Sequence, residues 1–284
     1  MEIIRNIISM QDKANKLRAK GYTIAFVPTM GFFHDGHLEL MKIAKKYADK
    51  LIVSIFVNPI QFGPSEDYNK YPRDIEGDTN RAKQIGVDIL FVPEVEDMYP
   101  KGFQTKVSVE RLTQHLCGVF RPNHFDGVTT VVAKLFNITK PHIAVFGEKD
   151  YQQLLVIKRM VKDLNMDIKI IGIPIIREKD GLAMSSRNAY LSSEERKSAL
   201  CLKKSIDLAQ SLIKKGINDV LFIKRAIEDL IKAHPFTSIE YISICDPETL
   251  EELKFIEDKA LLAMAVYVGK ARLIDNAILI FKNN

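Results

Sequence analysis

The chain has 284 residues, 46% of them hydrophobic and 27% charged, which is ordinary for a globular protein of one large or two moderate domains. Its 41 basic and 36 acidic residues give a formal net charge of +5 without a long run of one sign. This balance argues against a nucleic-acid-binding or membrane-surface protein, so neither is an expected partner.

The N-terminal segment and the cysteines indicate where the protein works. Residues 1–21 interrupt their apolar positions with charges at helical spacing, which is not the pattern of a signal peptide. Nowhere does an apolar run approach the roughly 18 to 20 residues that span a bilayer. The three cysteines have no CxxC spacing, which argues against a disulfide framework or a structural zinc site. We therefore expect a cytoplasmic protein.

The first part of the chain alternates short apolar runs with amphipathic segments. Runs of this kind suit the strands of a parallel sheet covered on both faces, and the segments between them suit crossover helices. The predicted strands are residues 23–27, 51–57, 88–92, 142–146 and 168–176. We therefore predict an α/β domain over residues 1–175 with a doubly wound, Rossmann-like parallel sheet. Ligands of such a sheet bind beyond the carboxyl ends of its strands.

The pattern changes after Ser192, which forms a capping box with Glu195 and predicts a long helix ending near Gly216. Its inward face is predicted to be Ala199, Leu202, Ile206, Ala209 and Leu212. The next helix is predicted to bury Val220, Ile223, Ile227 and Leu230. Strand-like stretches follow at residues 238–244, 260–268 and 271–280. Together these elements predict a smaller C-terminal α+β domain over residues 176–284.

The strongest local signal is Met-Gly-Phe-Phe-His-Asp-Gly-His at residues 30–37, after a predicted strand and at the start of a predicted helix. His34 and His37 are three residues apart, so they share a helix face. The first helical turn binds anions, and Gly31 and Gly36 allow a phosphate to approach the backbone closely. Two imidazoles there could donate hydrogen bonds to phosphoryl oxygens. A zinc site is the alternative, but it lacks an obvious third ligand.

Two further segments carry groups that suit a nucleotide. Ser185, Ser186 and Arg187 lie in a polar stretch between the predicted domains, and their hydroxyls and guanidinium could hold triphosphate oxygens. Lys149 and Asp150 follow a predicted strand, where the ammonium could neutralise a phosphate and the carboxylate could bind ribose or magnesium. In isolation, the first segment would be read as a solvated loop and the second as a surface ion pair.

In combination, these segments resemble the pantothenate synthetase family of the adenylate-forming HxGH nucleotidyltransferase superfamily. HDGH at residues 34–37 and MSSR at residues 184–187 are similar to its two signatures. Further similar segments occupy residues 56–74, 117–137 and 146–154. The resemblance covers the first two thirds of the chain. It implies the ATP-dependent condensation of pantoate with β-alanine through an enzyme-bound pantoyl adenylate, with release of AMP and pyrophosphate.

The resemblance also implies a role for each matching residue. The catalytic residues would be His37, His34, Lys149 and Arg187. ATP would contact Met30, Gly31, His34, Gly36, His37, Gly147, Glu148, Lys149, Asp150, Ile176, Met184, Ser185, Ser186 and Arg187. Pantoate and β-alanine would contact Gln61, Gln153 and Met30.

The resemblance extends to the metal and the assembly. Mg²⁺ would be held mainly through the ATP phosphates, the protein would be a homodimer, and residues 176–284 would close over ATP. Arg121 and His124 lie in a similar segment, where a structural role and a substrate contact both remain open. Two other functions also remain open: an adenylyltransferase acting on a phosphate acceptor, and a nucleotide-sensing or RNA-binding relative without turnover.

Overall fold

The structure is a computed structural model that describes residues 1–64 and 66–281; Ser65, within the matching segment 56–74, lies outside the described residues. The chain divides into two compact units. The first consists of Met1–Glu110, Arg121–Glu148 and Gln152–Pro174. The second consists of Arg111–Phe120, Lys149–Tyr151 and the chain from Ile175 onward. The domain boundary after residue 175 stays a prediction.

A six-stranded parallel sheet forms the centre of the first unit. Its strands are β1 (Glu2–Ile4), β2 (Ile24–Thr29), β3 (Lys50–Ile55), β4 (Ile89–Phe91), β5 (Ile143–Gly147) and β6 (Lys169–Ile173). They lie in the order β1-β4-β3-β2-β5-β6, and every neighbouring pair is parallel. The predicted doubly wound sheet is therefore confirmed.

Helices cover both faces of this sheet. The helices of this unit are α1 (Ile7–Ala19), α2 (Asp35–Lys45), α3 (Ile75–Ile85), α4 (Val95–Met98), α6 (His124–Thr139) and α7 (Tyr151–Asp163), whereas α5 (Cys117–Phe120) belongs to the second unit. The sequence of strand β2 is continuously apolar because its residues pack into two different buried clusters, one on each face of the sheet. Ile24 and Phe26 belong to one buried cluster, with residues of α1, α6 and α7, whereas Ala25 and Val27 belong to another, with residues of α2 and α3. Both faces of the strand are therefore buried.

The strand order reverses at β2 and β5, and ligands of open α/β sheets bind at the carboxyl ends of the strands at such a point. From β2 the chain moves outward to β3 on one side, and β5 lies on the other side. Such a reversal of strand order opens a crevice above the sheet. Met30 and Gly31 directly follow β2, and Glu148 directly follows β5.

The second unit packs helices on a three-stranded antiparallel sheet, as predicted. Its further elements are α8 (Ser193–Ala199), α9 (Cys201–Lys214), α10 (Val220–Lys232), β7 (Thr237–Cys245), β8 (Lys259–Val268) and β9 (Ala271–Ile280). The predicted capping box is present, with Ser192 accepting from the backbone N–H of Glu195 and Glu195 accepting from that of Ser192. Among the described residues, no helix has the length and apolar character needed to cross a bilayer.

The prediction of one long helix after Ser192 is wrong, because two helices, α8 and α9, occupy this segment. At Leu200 the backbone has φ −64° and ψ −12°, and this ψ lies far from the helical value near −42°. The apolar periodicity continues across the break, so the pattern did not reveal it. Leu212 and Leu230 are partly buried and pack against the core of this unit, as predicted, and the adjacent Ile213 and Ile231 are buried.

Candidate active site

The turn between β2 and α2 requires glycine at its first bend. Gly31 has φ +85°, and a Cβ there would lie 2.9 Å from Cγ2 of Ile55 and 3.0 Å from Oδ2 of Asp78. The backbone N–H of Gly31 donates to Oγ1 of Thr29, which itself donates to the carbonyl of Ser54. The turn is thus tied to the carboxyl ends of β2 and β3, and it leaves no room for a side chain.

A buried carboxylate holds the residues that precede the histidines. Asp78, on α3, accepts hydrogen bonds from the backbone N–H groups of Phe32 at 2.7 Å and Phe33 at 2.6 Å. Burial raises the pKa of Asp78, while those two hydrogen bonds act to lower it. Phe32 has φ +53°, a left-handed conformation that is uncommon for a bulky residue. The Asp78 carboxylate stabilises this conformation by satisfying both amides.

His34 and His37 lie together at the N-terminus of α2. Their ring centroids are 4.0 Å apart. His34 is the N-cap residue, and its backbone N–H donates to Nδ1 of His37 at 3.3 Å. Because Nδ1 of His37 accepts, the neutral ring carries its hydrogen on Nε2. The pair therefore places a directional donor at the positive end of a helix dipole, where an anion binds favourably.

Gln61 is fixed through a chain of side-chain hydrogen bonds. Its Oε1 accepts from Nδ2 of Asn58 at 3.0 Å, and its Nε2 lies 3.4 Å from Sδ of Met30. Nδ2 of Asn58 also donates to the carbonyl of Gly127, and Oδ1 of Asn58 accepts from the Tyr99 hydroxyl at 2.8 Å. The structure thus brings together Met30 and Gln61, two of the residues assigned to the acid substrate.

Arg121 and His124 contact the backbone of Gln61. Nδ1 of His124 donates to the Gln61 carbonyl at 2.9 Å, and Arg121 pairs with the Glu66 carboxylate while Nη1 lies 3.2 Å from Nε2 of His124. Burial acts to raise the pKa of Glu66, but the hydrogen bond and charge of Arg121 lower it overall. Gly127 lets α6 approach, since a Cβ there would lie 2.5 Å from the carbonyl oxygen of Ile60. These contacts place Arg121 and His124 against the backbone of Gln61.

Gln153 lies in the first turn of α7, where its side chain is half-buried. Gly147 is the last residue of β5, and Glu148 begins the short 3-10 helix Glu148–Asp150.

Lys149, in the second unit, is held by a hydrogen bond to its backbone, and its ammonium group lies where burial disfavours the charge. Its carbonyl accepts from Nδ2 of Asn276 at 2.8 Å. Burial lowers the pKa of the Lys149 ammonium, and the charge of Arg187 lowers it further. The carboxylates of Asp150 and Asp275 act in the opposite direction and raise this pKa, but the overall shift is downward. A small cavity of about 10 Å³, no larger than one water molecule, is lined by Lys149, Ser185 and Asp275 among others.

The predicted Ser/Arg stretch is a hydrogen-bonded hairpin followed by a 3-10 helix at Ser186–Tyr190. Arg177 pairs with Ala183 in an antiparallel bridge, and the backbone N–H of Met184 donates to the carbonyl of Ile176 at 3.0 Å. Oγ of Ser185 accepts from the backbone N–H of Arg187. The Ser/Arg residues therefore begin at the end of a hairpin with defined backbone geometry.

Salt bridges hold the same hairpin from the side of α8. The Arg196 guanidinium contacts the carboxylates of Glu178 at 2.6 Å and Asp180 at 2.7 Å. Nδ2 of Asn188 donates to Oε1 of Glu178 at 2.7 Å. The polar residues of the hairpin thus bond to α8 and to the 3-10 helix that follows, which holds the hairpin from two directions.

Comparison with known proteins identifies the family of the chain and its reaction. Residues 2–278 match the family model described as pantoate-beta-alanine ligase. The chain belongs to this family. It is accordingly an ATP-dependent ligase that joins pantoate to β-alanine.

The similarity to individual members of the family extends over the whole chain. The pantothenate synthetase of Caldicellulosiruptor bescii is 55% identical over 278 residues, 98% of this chain and 99% of the relative. The crystal structure of the pantothenate synthetase of Thermus thermophilus matches this structure with a TM-score of 0.93 at 44% sequence identity. The match covers 98% of this chain and 99% of the Thermus chain. The Francisella tularensis ligase, complexed with beta-gamma ATP and beta-alanine, matches with a TM-score of 0.79 at 36% identity, over 98% and 97%.

Several contacts described above involve residues that sequence reasoning did not assign to the site. Asp78, Tyr99 and Asp275 are buried or partly buried polar residues that reach an assigned segment from a distant part of the chain, and Asn58 contacts Gln61 from within the same loop. Asn58 carried a weak signal, because it lies three residues before Gln61 in a polar loop after a predicted strand. The others carried none, since nothing in their local sequence shows what they contact.

Proposed function

We propose that this ligase works in two half-reactions with the residues assigned above. In the first, the pantoate carboxylate attacks the α-phosphorus of ATP, the bond to pyrophosphate breaks, and pantoyl adenylate forms. In the second, the unprotonated amine of β-alanine attacks the acyl carbon, which forms the amide of pantothenate and releases AMP. Neither step requires a covalent bond to the protein.

In the first unit, His34 and His37 stabilise the phosphoryl oxygens as negative charge develops in the transition state. Support for this role comes from the directional Nε2–H of His37 and from the helix N-terminus beneath the two rings. Gly31 and Gly36 allow the phosphates to approach the backbone. Gln61, Gln153 and Met30 hold the acid, and an amide binds a carboxylate nucleophile without adding a charge that would weaken it.

In the second unit, Lys149, Ser185, Ser186 and Arg187 offset the phosphate charge. Burial around the Lys149 ammonium supports this role, because a charge in a poorly solvated site acts strongly on a nearby anion. The nucleotide contacts are completed by Gly147, Glu148, Asp150, Ile176 and Met184. The rate enhancement in this account comes from positioning and preorganised charge.

We also propose that Mg²⁺ reaches the enzyme on the ATP phosphates, where it would neutralise charge on the departing pyrophosphate. Residues 1–64 and 66–281 contain no group of three His, Cys, Asp or Glu side chains arranged to hold a metal ion. Magnesium normally binds through one or two carboxylates together with substrate phosphates, and the exposed Asp150 carboxylate could supply one ligand. We further propose a cytoplasmic homodimer.

The match to the ligase family over residues 2–278 carries this proposal. The test is the stoichiometry of products after the enzyme is incubated with ATP, pantoate and β-alanine. We expect one AMP and one pantothenate for each ATP consumed, no ADP, and no product when either pantoate or β-alanine is omitted. An adenylyltransferase would instead transfer AMP to a phosphomonoester acceptor and release pyrophosphate without free AMP, and that outcome would contradict the proposal.

A further inference from the structure

A bidentate salt bridge in the second unit connects the C-terminal strand to the Ser/Arg hairpin. Nη1 of Arg177 donates to Oδ2 of Asp275 at 2.7 Å, and Nη2 donates to Oδ1 at 2.9 Å. The Asp275 side chain is 1% exposed. Two parallel hydrogen bonds between a guanidinium and a carboxylate fix both the distance and the orientation of the pair.

The same guanidinium also braces the turn of the hairpin. Nη1 of Arg177 donates to the carbonyl of Gly181 at 3.0 Å, and Arg177 pairs with Ala183 through the backbone. Residues 184–187 follow directly from this bridge. A shift of the Arg177 side chain therefore moves the segment that carries Ser185, Ser186 and Arg187.

The residue after Asp275 anchors Lys149. Nδ2 of Asn276 donates to the Lys149 carbonyl at 2.8 Å, and the backbone N–H of Asn276 donates to Oδ1 of Asp275 at 2.8 Å. Both residues lie within β9, which pairs with β8 residue by residue along its whole length. The two contacts thus originate from one rigid element, which positions groups more precisely than a loop does.

We propose that Asp275 and Asn276 are positioning residues that set the geometry between Lys149 and the Ser/Arg segment 184–187. This inference rests on the proposed roles of Lys149, Ser185, Ser186 and Arg187. Asp275 acts through Arg177 on the hairpin, and Asn276 acts through the Lys149 backbone. Lys149, Ser185 and Asp275 line the same small cavity. Lys149 and the Ser/Arg segment, which are both proposed to bind phosphate, therefore lie next to each other at β9.

The second unit contains a matched control for a purely structural role. Arg272 and Glu240 form another salt bridge of two or more contacts, with side chains 15% and 10% exposed. Arg272 is also in β9, and Glu240 is in β7, on the other side of the central strand β8. Changing Glu240 to Gln removes one charge from a largely buried pair, as Asp275→Asn does, but Glu240 bonds to Arg272, whereas Asp275 bonds to Arg177 of the hairpin.

The experiment compares Asp275→Asn, Asn276→Ala and Glu240→Gln in thermal unfolding and in pantoate-dependent exchange of pyrophosphate into ATP. We expect all three to lower the Tm. We expect only Asp275→Asn and Asn276→Ala to raise the KM for ATP about tenfold or more, because misplacing a binding group by about 1 Å can lower the reaction rate about a hundredfold. These two variants should also have a lower kcat, and their KM for pantoate should change less than their KM for ATP. Arg177→Gln combined with Asp275→Asn should be little worse than either single change, since the two residues act as one unit.

The proposal is wrong if the folded fraction of Asp275→Asn and of Asn276→Ala exchanges with the wild-type KM for ATP, or if Glu240→Gln shifts that KM equally. Should Asp275→Asn fail to fold, Asn276→Ala decides between these outcomes, because it removes a hydrogen bond and no charge. The wild-type enzyme distinguishes failure of the proposed function from failure of the positioning role. Absence of exchange in the wild type contradicts the proposed function, whereas normal exchange in the variants contradicts only the positioning role.

Discussion

Replacing His37 with Asn is expected to lower the rate of adenylate formation about 10²- to 10³-fold, the loss that follows removal of one transition-state hydrogen-bond donor. An Asn side chain reaches the position of Nδ1, so it can still accept from the backbone N–H of His34. It lacks the distal Nε2–H. The substitution therefore removes the donor while the start of α2 keeps its hydrogen bond, and pantoate-dependent pyrophosphate exchange measures the loss.

Two further variants complete this test. His37→Gln places an amide near the position of Nε2 and should lose less activity than His37→Asn. His234→Asn changes a histidine whose Nδ1 contacts the Leu230 carbonyl in the second unit, and it should exchange at close to the wild-type rate. If His37→Asn keeps its fold by circular dichroism and still exchanges within about threefold of wild type, His37 does not have the proposed role.

Replacing Lys149 with Met is expected to inactivate the enzyme and also to stabilise it. Removing the ammonium takes away a charge proposed to offset the phosphates, so adenylation should fall about a hundredfold or more. Burial and the Arg187 charge disfavour the ammonium, since both lower the pKa of Lys149. Met fills a similar volume without that cost. We expect the Tm to rise by about 2 °C or more, measured by differential scanning calorimetry near pH 7.

The stabilisation has a predicted pH dependence. Because the pKa of Lys149 is lowered on folding from its ordinary value of 10.5, the cost of the charge is present below the folded pKa. It disappears as the pH rises through that value towards 10.5. The Tm difference between Lys149→Met and wild type should therefore shrink as the pH is raised into this range.

Lys158→Met is the control for the Lys149 substitution, because Lys158 is exposed on α7 and surface changes usually alter stability by less than about 0.5 kcal/mol. It should change neither activity nor Tm. A Lys149→Met enzyme that is less stable than wild type would show that the ammonium is well satisfied in the fold, contrary to this account. Near-normal exchange by the same variant would remove Lys149 from the catalytic residues.

Five of the six strands of the parallel sheet could be predicted because they are short, continuous apolar runs, as in the segment from Ile24 to Val27; the three-residue strand β1 was not predicted. Helix α6 could not be predicted in this way. It buries residues on nearly every face, including the consecutive Val131, Val132 and Ala133, so it has no polar face to produce a helical period. Its sequence resembles a buried strand as much as a buried helix. Tertiary packing decides between the two.

The break at Leu200 illustrates a different limit. The segment contains neither proline nor glycine near the break, and the apolar face of α9 continues the spacing of α8. Helix ends without a breaker residue depend on where the helix must pack, and that information lies in other parts of the chain. The capping box at Ser192 was predictable because both of its residues are local.

The assigned site residues were found through compact motifs, whereas the residues that hold them lie far away in the sequence. Asp78 bonds to Phe32 across 46 positions, and Arg177 bonds to Asp275 across 98. A carboxylate such as Asp78 or Asp275 has no local signature that distinguishes it from a solvated acidic residue. Only the folded chain shows that these two are buried and satisfied by groups next to the motifs.

In the proposed mechanism, the enzyme activates pantoate as an adenylate before the amine of β-alanine takes part. The most direct test is the exchange of labelled pyrophosphate into ATP in the presence of pantoate and the absence of β-alanine. The account predicts exchange that requires pantoate, is lost in His37→Asn, and is followed by release of AMP and pantothenate when β-alanine is added. If no exchange occurs until β-alanine is present, although the complete reaction proceeds, the two-step mechanism is contradicted.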